Sequence, residues 1–404
     1  MNVTINKIFI PVAVREIMRE LVEHGYEAFV VGGCVRDSIL GIAPHDWDIA
    51  TNAHPDKVRN IFNSAKVIVT ETSLAHGTVT VRISGENFEI TTFRNDVNCD
   101  GRHAEVAFAE TIEEDLSRRD FTFNAMAFND VRGLIDPFGG VNDLMGGIVR
   151  CVGNPNERFT EDYLRMFRAV RFAARFCFAI DLYTFNAMER NAEGAKNLSR
   201  ERVWSELWQI LNSPNPMYVN YLFDSNVMKA VHPALVYGEF TMCDPIENLC
   251  GMFVTNSYGR RRFDTEEILR FLTAPNDVIE RVMRAFRAYD EACFTNFYLH
   301  SCDRLMRHNV HNFGKDAVTI CINLRGGEDA QMFRDSLERV CESGNPMRLS
   351  ELAVNGNDMI EIGFTGKGIG EALRSCMTVV LDNPERNNKE FLMFHARNLF
   401  SIPF

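Results

Sequence analysis

The chain has no uninterrupted apolar run approaching about 18 residues, so no segment reads as a membrane-spanning helix. Its first residues, Met1-Asn2-Val3-Thr4-Ile5-Asn6-Lys7, lack both a basic-then-apolar signal pattern and an Arg- and Ser-rich transit pattern. A cytoplasmic protein is expected. Cys-x-x-Cys is missing as well. The 11 cysteines are scattered and odd in number, which argues for free thiols in a reducing compartment and against a disulfide framework or zinc ribbon. His300, Cys302, His308 and His311 form the only local His/Cys concentration, and their spacing matches no zinc pattern. There is no repeat of solenoid length and no low-complexity tract. An excess of positive charge is also absent: the formal net charge is −12, the wrong sign for phosphate affinity. Distribution matters more than the sum, however, and arginines are dense between Arg150 and Arg202.

What is present describes a globular protein. Of 404 residues, 46% are hydrophobic and 24% charged, enough for about two to four compact units. The first ~145 residues read as mixed α/β. Val14 to Leu21 has helical spacing and stops at His24-Gly25. Ala28 to Val31 is a buried-strand run ending at Gly32, Cys34 to Leu40 a short helix closed by Gly41, and Trp47 to Ala50 the next strand candidate. Asn52-Ala53-His54-Pro55 opens a helix through Phe62. Lys66 to Thr70, Thr78 to Ser84 and Phe88 to Phe93 are rich in β-formers. The order β-α-β-α-β-β-β fits a small mixed sheet with helices on one face. Asn95 to His103 reads as a polar loop, and Phe121 to Phe128 as either a strand or an extended helix. Beyond Asp136-Pro137-Phe138-Gly139-Gly140 strand signals nearly vanish. Glu161 to Arg175, Arg202 to Leu211 and Glu266 to Leu272 show helical periodicity, with softer joints at Ser213-Pro214-Asn215-Pro216 and Gly326-Gly327.

Three phrases carry chemistry. In Gly32-Gly33-Cys34-Val35-Arg36-Asp37, two glycines let a backbone approach phosphate, and the following helix aims N–H groups and Arg36 at it. In Asp46-Trp47-Asp48, strand alternation would place both carboxylates on one face. Two like charges that close favour a cation between them, and Mg²⁺ takes one or two carboxylates plus substrate phosphates. Glu89 could add a third carboxylate from a neighbouring strand. The third phrase runs from Glu161 to Arg171. On one continuous helix Asp162, Arg165 and Arg168 are i, i+3 neighbours, Arg171 and Arg175 stay near that side, and no acids match these arginines. Leu164, Phe167, Val170 and Ala174 form the opposing apolar stripe. A carboxylate beside a guanidinium can imitate the edge of a nucleobase. Arg118-Arg119-Asp120 reads equally as a triphosphate and ribose clamp or as a salt-bridged helix end.

Together with Glu89-Ile90-Thr91-Thr92-Phe93-Arg94, Asp100-Gly101-Arg102-His103, Arg118-Arg119-Asp120-Phe121-Thr122 and Glu201-Arg202-Val203-Trp204, these phrases resemble the class II tRNA nucleotidyltransferases. These are the bacterial and eukaryotic CCA-adding enzymes, relatives of bacterial poly(A) polymerases. The resemblance covers about Val31 to Leu211, with a weaker echo at Glu351 to Gly356, and little matches from about Phe240 to Asn345. It implies an α+β protein shaped as a sickle: a polymerase-beta-like head with a mixed sheet and helices (1–147), then an all-α neck (148–212), body (213–330) and tail (331–404). It further implies Mg²⁺ on Asp46 and Asp48, with Glu89 beside them, and a triphosphate held by Gly32, Gly33, Arg36 and Arg119. Asp120 and Asn124 would lie near the sugar. Asp162 and Arg165 would select C and then A, supported by Arg168 and Arg171, with Glu201 and Arg202 bracing. Asp100 and Arg102 match the family's flexible loop, associated with the switch to A. Trp47 is bulky between the two acids and should face away from metal. The implied partners are a tRNA 3′ end, CTP and ATP, with no membrane, for a monomer or homodimer. His76-Gly77-Thr78-Val79-Thr80-Val81 stands where poly(A) polymerases carry a basic phrase, which favours CCA addition over polyadenylation, and the presence of both the template pair and the loop residues favours full over partial CC or A addition.

Overall fold

The computed structural model describes residues 8–62, 67–68, 77–83, 85–97, 105–233, 235, 244–253, 265–291, 302–327 and 329–399. The chain forms two compact units, Met1–Pro245 and Ile246–Phe404. The first is α+β and the second, among the described residues, is helical.

The first unit is built around a seven-stranded sheet in the order β3-β4-β5-β2-β1-β8-β9. Its strands are β1 (Ala28–Val31), β2 (Ile49–Thr51), β3 (Val67–Ile68), β4 (Thr78–Ile83), β5 (Glu86–Thr92), β8 (Ala127–Asn129) and β9 (Gly133–Ile135). Central β1 is buried throughout, which is why it reads as a continuous apolar run and not an alternating one. It pairs antiparallel with β2 and β8, while β2 runs parallel to β5 with Ile49 opposite Ile90. Helices α1 (Val12–Glu23), α2 (Gly33–Ile39) and α3 (Pro55–Ile61) follow the expected order. The buried stripe of α1 is Val14, Ile17, Met18 and Leu21, each such side chain contributing about 1.5–3 kcal/mol.

Four expectations need correction. Strand β2 begins only at Ile49, because β1 has already turned at Gly32. Asp46-Trp47-Asp48 is therefore a lead-in outside the strand, with the Asp48 carbonyl still accepting from Val31 N at 3.1 Å. Asn95 to Val97 is not loop: β6 (Arg94–Val97) pairs antiparallel with β7 (Glu105–Phe108), and Asp100 and Arg102 lie outside the described residues. Phe121 to Phe128 is neither one strand nor one helix. Thr122–Asn124 form a 3-10 turn because Thr122 Oγ1 donates to Asp143 (2.7 Å) and Asn124 Nδ2 to Asp120 (3.0 Å), and strand returns at β8. Finally, Glu161 to Arg175 is not continuous helix. It divides at Asp162, whose φ of −151° and ψ of 105° are extended.

Helix α4 (Ile112–Ser117) starts in a capping box made by Thr111 and Glu114. Helix α5 (Gly140–Gly146) is capped by Asp136, which accepts from Gly140 N (2.6 Å) and Val141 N (2.9 Å). Helices α6 (Pro155–Glu161), α7 (Leu164–Phe176), α8 (Leu182–Asn191) and α9 (Arg200–Leu211) complete the part that carries the site. A short parallel pair, β10 (Ile148–Val149) with β11 (Ala179–Ile180), is too brief to show alternation in the sequence. Phe172 of α7 meets Phe121 and Phe123 edge-on at 5.7 and 5.4 Å, so α7 shares a core with the segment that follows α4.

In the second unit, helices 276–291, 302–313, 315–325 and 330–342 pack around Met306, Val318, Cys321, Phe333 and Leu337. That core continues across Gly326-Gly327. A separate cluster from Val354 to Ala396 joins helices 356–361, 367–382 and 389–398.

Candidate active site

Gly32 has φ +71° and caps α2, and a Cβ there would lie 2.6 Å from Arg119 Nη1. Glycine is thus required twice, for the left-handed backbone and for the passage of a guanidinium. From this turn opens a cavity of about 560 Å³, lined by seven arginines and three aspartates. Gly32, Gly33, Arg36, Asp48, Arg119, Asp120, Asn124, Asp162, Arg165 and Arg168 all contribute to it. Four separate stretches of chain supply these residues, and folding brings them to the wall of one cavity.

A chain of polar contacts organises that wall. Asp37 accepts from Arg36 Nε (2.7 Å), Arg36 Nη1 donates to Asn124 Oδ1 (2.6 Å), and Asn124 Nδ2 donates to Asp120 Oδ1 (3.0 Å). Asp120 Oδ2 accepts from Arg168 Nε and Nη2 (2.8 and 2.6 Å). Burial would raise the Asp120 carboxyl, but Arg168 and Asn124 outweigh it and bring it down to about 2. Arg168 is raised in turn, chiefly by Asp120. Asp115 is buried with Arg118 Nη2 at 2.9 Å and Arg119 Nη2 at 3.1 Å. Burial pushes its pKa up, and the two arginines more than reverse that. The Arg118-Arg119-Asp120 phrase is therefore an ion-paired helix end that also lines the cavity.

The arginines of α7 do have matching acids, contrary to expectation. Arg165 Nη1 pairs with Glu161 (2.6 Å), Arg168 with Asp120, and Arg171 Nε with Glu206 of α9 (2.6 Å). Arg171 does not line the cavity. Its guanidinium packs 4.3 Å from the Phe172 ring centre, and burial lowers its pKa first, with Glu206 opposing. Arg165 also donates to the carbonyls of Arg158 (3.2 Å) and Arg118 (3.0 Å), tying α7 to the end of α4. Asp162 accepts from Leu164 N (3.0 Å) and from Arg202 Nη2 (2.8 Å), whereas Glu201 is exposed. Glu206, Glu161 and Asp115 were missed by sequence reasoning. Only Asp115 and Glu161 carried a signal, being three or four residues along the chain from their arginines. Arg94, Arg118, Phe172 and Arg202 also line the cavity.

At the mouth, Asp48 is reached by solvent yet surrounded by protein. Its pKa is raised by desolvation first and by Asp46, with Arg119 pulling the other way. Glu89 sits beside it because the parallel register pairs the next residues, Ile49 and Ile90. Glu89 is raised by desolvation and then by Asp48 and Asp46. Asp46 itself is exposed, with Oδ1 3.0 Å from His45 Nδ1. No group of three or more His, Cys, Asp or Glu poised to hold a metal occurs among the described residues. Two neighbouring hard carboxylates at an arginine-lined mouth still suit a divalent ion that draws its other ligands from phosphate.

Comparison with known proteins shows the family. The profile described as the Poly A polymerase head domain matches residues 28–150, and that of the probable RNA and SrmB- binding site of polymerase A matches residues 177–237. The CCA-adding enzyme of Ligilactobacillus salivarius (strain UCC118) is 31% identical over 406 residues, covering 95% of both chains. That of Geobacillus kaustophilus (strain HTA426) is 34% identical over 392 residues, covering 93% of each. The crystal structure of the Bacillus stearothermophilus CCA-adding enzyme in complex with CTP superposes with a TM-score of 0.70 at 30% identity, covering 96% of this chain and 97% of that one. The fold and the cavity define a nucleotidyltransferase. More particularly, the chain belongs to the family of CCA-adding enzymes, the tRNA nucleotidyltransferases.

Proposed function

We propose that this protein adds C, C and A to the 3′ end of tRNA from CTP and ATP, releasing pyrophosphate, without a nucleic-acid template. The observation that carries the reading is the cavity itself, where seven arginines outnumber three aspartates beside a glycine turn. Fixed by acids such as Asp37, Asp115 and Glu161 that do not line the cavity, these guanidinium groups present their remaining N–H donors to a triphosphate, which they bind with both charge and paired N–H bonds. Arg119 and the Gly32-Gly33 turn hold the phosphates, and Arg36 shapes the wall they lie on. Asp120 and Asn124 face the sugar. Asp162 and Arg165 read the base edge: each Asp162 oxygen keeps a second lone pair, and the three bonds of Arg165 engage three of its five N–H groups. Arg168 and Arg171 hold α7 in place through Asp120 and Glu206. Asp46 and Asp48, with Glu89 adjacent, would hold Mg²⁺, which when bound activates the 3′-hydroxyl and neutralises the leaving pyrophosphate. Asp100 and Arg102 are assigned to the switch from C to A.

The reading extends to architecture and setting: a head at 1–147 and a neck at 148–212, followed by a helical body and tail, acting as a monomer or homodimer in the cytoplasm. No helix among the described residues is long and apolar enough to cross a membrane. The second reading is polyadenylation, favoured by the description of the matching head profile. One assay separates them. Purified protein receives tRNA transcripts ending at the discriminator base, at C and at CC, with CTP and ATP offered separately and together. A single A after CC is expected. A long A tail with ATP alone refutes CCA addition, and products that stop at CC with both nucleotides identify a partial enzyme.

A further inference from the structure

The two residues between α6 and α7 are Asp162 and Tyr163, and they adopt different backbones. Asp162 is extended, whereas Tyr163 is helical at φ −60° and ψ −19°. Asp162 lines the cavity and Tyr163 does not. The Tyr163 ring lies instead on Gly194, in the 3-10 turn Ala192–Asn197. A Cβ at Gly194 would fall 2.0 Å from Tyr163 Cε1 and 2.3 Å from Cδ1 and Cζ, separations that real Cβ atoms do not reach. Three ring atoms at that distance mean the ring rests on bare backbone. Any side chain at 194 must expel it. The floor is itself anchored, since Asn191, just before the turn, donates through Nδ2 to Asn156 Oδ1 of α6 (3.1 Å). The helix preceding Asp162 and the turn supporting Tyr163 are thus tied together, and the break between α6 and α7 is held from both sides.

We propose that Tyr163 and Gly194 are positioning residues for nucleotide selection, the ring seated on Gly194 setting the angle at which Asp162 is presented beside Arg165. The inference rests on the reading of Asp162 as a base-contacting residue. Hydrogen-bond discrimination depends steeply on angle and distance, so a small swing of the 162–163 segment degrades choice of base. The phosphates are held by other elements, so affinity common to all nucleotides is spared.

The test uses the full chain and single-nucleotide incorporation on tRNA ending at C and at CC, comparing kcat/KM for CTP, ATP, UTP and GTP. Gly194→Ala should reduce discrimination by about tenfold or more, with KM for the correct nucleotide changed by less than about twofold. Tyr163→Phe should match the parent, because the ring and not the hydroxyl fills the contact, and a loss there overturns the account. In a Tyr163→Ala background, which itself loses discrimination, adding Gly194→Ala should change nothing further, since the clash has gone. An undiminished effect of Gly194→Ala in that background overturns the proposal, as does a folded Gly194→Ala that keeps parental ratios. Should Gly194→Ala fail to fold, Tyr163→Leu carries the test: lost discrimination supports the seat, and parental ratios overturn it. Asp162→Ala is run alongside. If it keeps parental ratios, the base-reading assignment fails, and this inference with it. If it loses them while both Gly194→Ala and Tyr163→Leu keep them, only the seat fails.

Discussion

Replacing Asp120 with asparagine removes one charge from the middle of the polar chain that joins α2 to α7. Asp120 is 8% exposed and its pKa is lowered from the ordinary 3.8 to about 2. That difference corresponds to about 2 kcal/mol of stability at pH 7. The folded-state pKa lies below the unfolded one, so the contribution is complete above pH about 4 and is lost as pH falls toward 2. Asp120→Asn keeps an acceptor for Phe121 N but leaves Arg168 facing an amide in a cavity crowded with guanidinium groups. The variant should therefore be destabilised by about 2 kcal/mol at neutral pH, and the gap to the parent should fall to roughly half by pH 3. The assay is urea unfolding followed by tryptophan fluorescence. All 3 tryptophans, Trp47, Trp204 and Trp208, belong to the first compact unit, so the signal reports the unit that contains the pair. Taking the difference between two otherwise identical chains cancels the other carboxylates, provided they do not couple to position 120. A gap under about 0.5 kcal/mol at pH 7 refutes the argument. So does a gap that stays constant between pH 7 and pH 3.

Gly32→Ala places a Cβ 2.6 Å from Arg119 Nη1 at a residue with φ +71°. It should lose about 1–2 kcal/mol of stability and raise KM for CTP and ATP alike, and unchanged KM values would show that Arg119 does not serve the phosphates. Glu206→Gln leaves Arg171, only 12% exposed, without its counter-charge. A loss of about 2 kcal/mol in denaturant unfolding is expected, and a neutral result would make the pair dispensable. The Cys151 thiol is pushed up to about 12, chiefly by burial and then by Asp120, while Cys177 is exposed. In iodoacetamide labelling at pH 8 read by peptide mass spectrometry, Cys177 should react in the native protein and Cys151 only after denaturation. Equal rates at the two cysteines would contradict the packing of the segment that follows α5.

Much of the first unit was legible because its signals are local. An apolar run closed by Gly32, a helix stopped at His24-Gly25 and β-rich runs before Phe93 each depend on residues a few positions apart. The same holds for the phrases that point to a nucleotide site, since glycine turns and paired acids are recognised by adjacency. Partnership across the chain was not legible. Arg168 and Arg171 looked unmatched because their acids lie far away: Asp120 is 48 residues from Arg168, and Glu206 is 35 from Arg171, whereas the acid of Arg165, Glu161, stands four residues before it. Periodicity reports neighbours within one or two helical turns and says nothing of a helix arriving from elsewhere. The break at Asp162 escaped for a related reason. The local signal is weak, an Asp162 carboxylate that accepts from Leu164 N as a helix-starting aspartate does, and tertiary contacts fix the break, with Arg202 holding the carboxylate and Gly194 receiving the Tyr163 ring. By itself the sequence determined the first helices, the buried strand before Gly32 and the residue types a nucleotide site would use. The tertiary structure alone decided which charges neutralise one another and which face the cavity, because low exposure and a specific partner, neither encoded within a turn of helix, set the energy of a buried ion.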